Sequence, residues 1–243
     1  VDLLSVIIPA FNEERRIAGT IRAIGSTLAR EGLPHEIIVI DDGSTDRTGE
    51  VSRACAGGLP AVAVAGFPRN RGKGAAVAEG VLLSKGGVIL FVDADLALGL
   101  DALLACARSV AAGSEIVIGS KHCHGSVAEE PPPRLRRLAS GGFRGLVRLL
   151  LRLPVTDSQC GLKAFRRGTA ERLFALRTVN GFAFDVELLV IARRNGIPIK
   201  EVPVRWRYHS GSGARLFGPG LRAVADLALI WIRDLTGAYR LPA

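Results

Sequence analysis

Short apolar runs alternate with stretches of helical periodicity through the first half of this chain, and no other feature restricts its fold as much. "LLSVIIP" (Leu3–Pro9), "HEIIVID" (His35–Asp41), "AVAVAG", "GVILFVD" and "SEIVIGS" read as strands. Between them, "EERRIAGTIRAIGSTLARE" (Glu13–Glu31), "STDRTGEVSRACA" with its Ser/Asp cap, "KGAAVAEGVLLSK" and a stretch from Asp101 to Ala112 read as helices. Apolar strands alternating with helices predict an α/β fold, a mainly parallel central sheet flanked by helices. In such sheets ligands bind beyond the carboxyl ends of the strands.

Three of those strand ends carry acids. "PAFNEE" follows the first strand, "DDGSTD" the second, and "DADL" the fourth, where Asp93 and Asp95 stand one residue apart. Each alone has a plain explanation, since Asp42 or Ser44 can simply turn the chain toward its helix. Together they concentrate like charge on one rim, which is costly without a cation. Carboxylates of this kind hold Mg²⁺ or Mn²⁺, hard ions that take oxygen ligands and share them with phosphates. "PRNRGKGAAVAEG" (Pro68–Gly80) sets Arg69, Arg71 and Lys73 among glycines at a helix start, the makings of a pyrophosphate cradle. It lacks the Walker spacing, and no GxGxxG follows the first strand.

Net charge is +9 and the pI near 10.1, a balance that favours an anionic partner. Nucleic acid is not expected, because no nucleic-acid motif or aromatic platform accompanies the charge. His122, Cys123 and His124 in "KHCHG" have the donor types of a metal site, but no second ligand cluster joins them. The four cysteines fit neither a disulfide framework nor a CxxC pair, so reduced, cytosolic thiols are expected. No signal peptide is read at the N-terminus, and the lack of any Met points to processing there. No run of about 18 uncharged apolar residues could span a bilayer.

The second half is less regular. "EEPPPRLRRL" (Glu129–Leu138) reads as a loop feeding an arginine-rich helix. "GLKAFRR", "GFAFDVELLVIARRNG" and "IPIKEVPVRW" follow as strand, helix and strand, and Leu221–Tyr239 as an amphipathic helix. There is no internal repeat, and a single domain over 1–243 is expected.

In their order, "SVIIPAFNEE", "EIIVIDDGSTDRT", "RNRGKGAAVAEG" and "ILFVDADL" resemble a family 2 glycosyltransferase of the GT-A fold, a Rossmann-like nucleotide-diphospho-sugar transferase fold. "DSQCGLKAF", "GFAFDVELL", "IPIKEVPVRW" and "LTGAYRL" are similar to the dolichyl-phosphate β-glucosyltransferase group, close to the polyprenyl-phosphate mannose synthases. The resemblance covers nearly the whole chain. It implies a nucleotide-sugar-binding half (1–120) and an acceptor-binding half (121–243). Pro9, Phe11, Glu13, Ile40 and Asp42 would line the pocket for base and ribose. Asp93, Ala94 and Asp95 would sit against the nucleoside diphosphate, with Asp95 the leading ligand of Mg²⁺ or Mn²⁺ and Asp93 assisting. Lys73, Lys121 and Arg215 would complete the donor site. Lys121 stands where mannose synthases carry an arginine, and Arg215 in "YHSGSGARL" falls on a basic loop over the donor.

The implied reaction is inverting transfer of a hexose, foremost glucose from UDP-glucose, to a polyprenyl phosphate. Asp157 and Asp185 are acids at motif positions; Asp185 would be a base or a sugar-hydroxyl acceptor. Alternatively these acids, and Glu187 with them, pair with the many arginines. The helix Arg134–Pro154 carries Arg144, Arg148 and Arg152 as one basic stripe on a wide apolar face. It suits a membrane interface, and peripheral binding at the cytoplasmic membrane face is expected. GDP-mannose, a soluble small-molecule acceptor, and a nucleotide-sugar-binding module without turnover are the competing readings.

Overall fold

The structure, a computed structural model, describes residues 3–131, 133–208 and 218–241. The chain runs β1 (Leu4–Ala10), α1 (Ile17–Arg30), β2 (His35–Asp41), α2 (Thr48–Ala56), β3 (Val62–Gly66), α3 (Lys73–Leu83), β4 (Val88–Val92) and α4 (Leu100–Ala111). It continues with β5 (Ile116–Ser120), β6 (Val127–Glu130), α5 (Arg134–Leu151), β7 (Leu162–Arg166), α6 (Arg167–Leu176), α7 (Phe184–Arg194), β8 (Ile199–Pro203), β9 (Arg205–Arg207) and α8 (Gly218–Leu235).

Seven strands form one sheet in the order β3-β2-β1-β4-β7-β5-β8, which draws on both halves of the sequence. Its parallel strands are Val/Ile-rich because both faces are covered, so every second residue meets one of two cores. Val6, Ile8, Val39 and Leu90 join α1 and α4 on one face, while Ile7, Ile38, Ile40 and Phe91 meet α3 and α7 on the other. The sheet is mainly parallel, as expected, with one exception. β7 is antiparallel to both its neighbours, β4 and β5. β5 therefore climbs to the rim where β1, β2 and β4 end, and β7 starts from that rim and descends. All of 121–161 is an excursion between them.

Two segments differ from expectation. The run expected as a loop from Glu129 begins instead inside β6, which pairs with β9 in a separate two-stranded ribbon. The first helix starts at Ile17 rather than Glu13; ahead of it the Glu13 and Glu14 amides donate to Thr48 Oγ1 (2.7 Å) and Asp46 Oδ2 (3.2 Å). These bonds, with Asn12 Oδ1 accepting from the Thr45 amide (2.9 Å), lace the two acidic loops together. α6 (Arg167–Leu176) follows β7 directly. Among the described residues no helix is long and apolar enough to cross a membrane.

α3 lies on β1 so closely that a Cβ on Gly80 would come within 2.4 Å of Ile7 Cγ2. Gly80→Ala is therefore expected to cost about 1–3 kcal/mol by overpacking. Thermal melting should show a drop of roughly 2–4 °C per kcal/mol. Gly87→Ala, where nothing lies within 4 Å of an added Cβ, should leave the melt unchanged.

Candidate active site

The sheet order reverses between β1 and β4, so the ends of β1, β2 and β4 meet at one crevice. Phe11 is 44% exposed there, an aromatic face open to a base, and Pro9 is half-buried behind it. Ile40 is different: its side chain is wholly buried in the core, so it can offer a nucleotide only its backbone. Asp42 is buried as well, and accepts hydrogen bonds from the Arg71 and Gly72 amides (2.7 and 2.9 Å). Burial pushes its carboxyl above the ordinary range, against the pull of those amides. Asp42 thus ties the end of β2 to the loop before α3.

That loop is not the open pyrophosphate cradle its composition predicts. Besides the amides given to Asp42, the Gly74 amide donates to Asn180 O (2.8 Å). Gly72 has φ +100°, a conformation that favours glycine, and a Cβ there would meet Asn180 O at 2.4 Å. The Lys73 ammonium turns inward, 2.7 Å from Asp93 Oδ1 and 3.9 Å from Asp185 Oδ2. Burial alone would lower its pKa, but Asp93 and Asp185 outweigh that and hold it above the ordinary lysine value. Asp185, at the start of α7, also accepts from Lys163 Nζ (2.8 Å), and Lys163 donates in turn to Cys160 O (2.8 Å). The rings of Phe91 and Phe184 flank Lys73 at 5.7 and 5.8 Å.

The turn after β4 is a tight one. The Leu96 amide donates to Asp93 O (3.2 Å), the Ala97 amide donates to Asp95 Oδ1 (3.1 Å), and Leu96 itself sits at φ +44°. A non-glycine residue in that region is strained and needs outside support. β9 provides it: Gly99 N donates to Arg205 O (3.1 Å) and Arg207 N to Ala97 O (2.9 Å). Ala94 is buried, and its carbonyl accepts from Thr20 Oγ1 (2.6 Å). Asp95 faces Glu13, whose carboxyl is raised by burial first and, against the opposing Arg16, by the Asp95 charge. Glu13 pairs with Arg16 (2.9 Å).

Beyond β5, the Lys121 amide donates to Asp157 Oδ2 (3.0 Å) and the Lys121 ammonium lies 5.1 Å from the Trp206 ring centre. Asp157 is buried and also accepts from the Gln159 amide (3.2 Å), so it organises its own loop. Glu187 is wholly buried, receiving the Thr178 and Val179 amides and the Tyr239 hydroxyl (2.8 Å) rather than an arginine. In "KHCHG", burial and the neighbouring Arg144 push His122 below its ordinary value. No group of three or more metal-ligating side chains exists among the described residues. Arg215 lies outside the described residues.

Residues 5–174 match the sequence profile described as "Glycosyl transferase family 2". The chain belongs to glycosyl transferase family 2. Among curated proteins it is 38% identical to a dolichyl-phosphate beta-glucosyltransferase of Drosophila melanogaster, over 98% of this chain and 77% of that protein. The human and Saccharomyces cerevisiae proteins of that name are 37% and 32% identical, over 98% of this chain and 78% and 76% of theirs. Among solved structures, glucosyl-3-phosphoglycerate synthase from Mycobacterium tuberculosis with UDP aligns with a TM-score of 0.69 at 23% identity, covering 95% of this chain and 80% of that one. The same enzyme with Mn²⁺, UDP-glucose and phosphoglyceric acid aligns with a TM-score of 0.68 at 22% identity, covering 100% and 81%. The α/β architecture is the GT-A fold, and the protein is a glycosyltransferase.

Within this family 2 fold, Pro9, Phe11, Glu13, Asp93 and Asp95 surround the crevice, while Lys73 and Asp185 lie beneath it as a brace. Lys163 is the residue that the sequence reading passed over. Its signal was a lysine between apolar neighbours in "GLKAF", at a strand position facing the core. Gly161 is the other: a Cβ there would fall 1.9 Å from Asp93 Oδ2, so only glycine leaves that carboxylate its place. Gly161→Ala is expected to retain its fold by circular dichroism yet lower kcat by about 10- to 100-fold, a misplacement effect. Wild-type turnover in this variant would show that the placement of Asp93 is unimportant.

Proposed function

We propose that this glycosyltransferase moves glucose from UDP-glucose to a polyprenyl phosphate with inversion at the anomeric carbon, aided by Mg²⁺ or Mn²⁺. The observation that carries the reading is the turn at Asp95, which presents a carboxylate to the crevice at the sheet's switch point. Its support is the 31–38% identity to proteins named dolichyl-phosphate beta-glucosyltransferase over most of the chain. UDP-glucose also accompanies Mn²⁺ in a structure of similar fold.

The donor set fits a hard divalent ion. Asp95 offers carboxylate oxygen at the rim, whereas Asp93 Oδ1 is engaged by Lys73. With no three-ligand cluster among the described residues, a bound ion would be shared with the donor's diphosphate oxygens, the usual manner of Mg²⁺. Such an ion supplies Lewis-acid stabilisation of charge on the departing diphosphate. Phe11 would stack on the base, and Lys121 would add positive charge at the opposite side of the crevice. The acceptor oxygen attacks from the face opposite the leaving group, so an α-linked donor gives a β-linked product. A phosphate monoester has its second pKa near about 6 and is nucleophilic at neutral pH. No general base is needed, in keeping with an Asp185 that is buried and ion-paired.

A groove of about 200 Å³ lies between α5 and 153–158, lined among others by Arg144, Arg148, Thr156 and Ser158. It offers positive charge to an acceptor phosphate. α5 and α8 pack together and leave Leu138, Leu149, Leu229, Ile232 and Leu235 exposed. We read this apolar face with its arginines as the surface that meets the membrane. Arg152 stands at the C-cap of α5 in a left-handed conformation (φ 45°), its amide donating to Arg148 O.

UDP- and GDP-sugars, each with a short polyprenyl phosphate or 3-phosphoglycerate and Mn²⁺, test the reading. Lipid-linked glucose from UDP-glucose, lost on chelation, is expected. Product from GDP-mannose, or with the soluble acceptor alone, would overturn it. Asp95→Ala should lower kcat by about 100-fold or more. Leu149→Asp with Ile232→Asp should release the protein from anionic vesicles in a flotation assay, while leaving donor binding intact.

A further inference from the structure

A buried pair of opposite charges is costly, and this fold carries one, Lys163 with Asp185, which Lys73 extends outward to a partly exposed Asp93. Lys163 has no solvent exposure, and Asp185, Lys73 and Asp93 follow it outward until Asp93 reaches the crevice. Lys163 faces Phe91 across β4 and Ile118 across β5, where strand alternation calls for an apolar side chain. Its neighbours Leu162 and Ala164 obey that rule on the opposite face of the sheet, and Phe165, two residues on, lies in the core on the Lys163 face. A well-packed apolar residue at 163 with another at 185 would often stabilise such a core as well or better. The ions therefore need an explanation other than stability.

The connections give one. Asp185 has Lys163 on one oxygen and Lys73 near the other, so it sets the lateral position of the Lys73 ammonium. Lys73 holds Asp93 Oδ1, and Gly161 clears room on the side of Oδ2. The Asp93 charge is thereby answered from beneath, which leaves Asp95 as the carboxylate that seeks an added cation.

We propose that Lys163 is a positioning residue: with Asp185 it fixes Lys73, and through Lys73 it fixes Asp93 at the donor-diphosphate site. It touches neither donor nor acceptor. The inference rests on the glycosyl-transfer reading of the crevice, and its test separates the two.

Three variants are needed: Lys163→Met, Asp185→Leu and the double variant. Each single change strands a buried charge, and both should melt well below wild type. The double removes one positive and one negative charge together, and its melting temperature should return close to the wild-type value. A merely structural pair would let function return as well. The positioning role instead predicts that the folded double binds UDP or GDP in the presence of Mn²⁺ about tenfold more weakly by calorimetry. Its Mn²⁺ half-saturation in transfer should rise, and its kcat should fall at least tenfold. Wild-type binding, half-saturation and kcat in the folded double would overturn the proposal. If the double does not fold, Lys163→Gln carries the same readouts, and wild-type values there have the same force. A wild-type protein that binds neither nucleotide with Mn²⁺ would sink the reading of the crevice itself.

Discussion

The ammonium of Lys73, held between Asp93 and Asp185, is the contact on which the rim of this sheet depends. It stands at the first residue of α3, touches the end of β4, and leans on the first turn of α7. One residue earlier, Gly72 gives its amide to Asp42 at the end of β2. A single stretch of four residues, 71–74, thus fastens β2, β4, α7 and the loop at Asn180. Removing that charge would leave Asp93 without its ion pair at the crevice and the buried Asp185 with Lys163 as its remaining cation.

The acidic rim is accordingly not a bare cluster waiting for metal. Asp93 is answered by Lys73 and Glu13 by Arg16, while Asp42 is satisfied by amides. What remains is Asp95, on a strained turn held in shape by β9. Most of the acids of this rim are thus answered by the protein's own cations and amides. Glu187 repeats the theme away from the crevice: four donors converge on it, and among them Tyr239 pins the end of α8 to α7.

The strands were legible because β-branched runs bounded by glycine and acid announce buried parallel strands, and the strand-end rule then located Asp93 and Asp95. Individual side chains were not. Periodicity cannot say that the Lys73 side chain bends under the sheet, since a lysine among glycines looks the same whether it points to solvent or to a buried acid. Ile40 could not be told from a pocket-lining residue, because both are apolar at a strand end. Asp185 and Glu187 sit two apart on one helix and both proved buried, each for a different set of partners. The antiparallel course of β7 was likewise hidden, because strand direction depends on where the chain returns rather than on which residues it contains.

That return has a consequence for how such a protein can diverge. Because β5 arrives at the rim and β7 departs from it, the segment from 121 to 161, with β6 and α5, begins and ends beside the crevice. Its two ends are anchored to adjacent strands, Ser120 and Leu162, so its interior can lengthen, shorten or change character without shifting any register in the sheet. The crevice beside it is fixed by the network under Asp93, to which Lys163 and Asp185 from beyond the segment contribute. The segment is in that sense a cassette, open to replacement by drift while the sheet beside it is inherited unchanged.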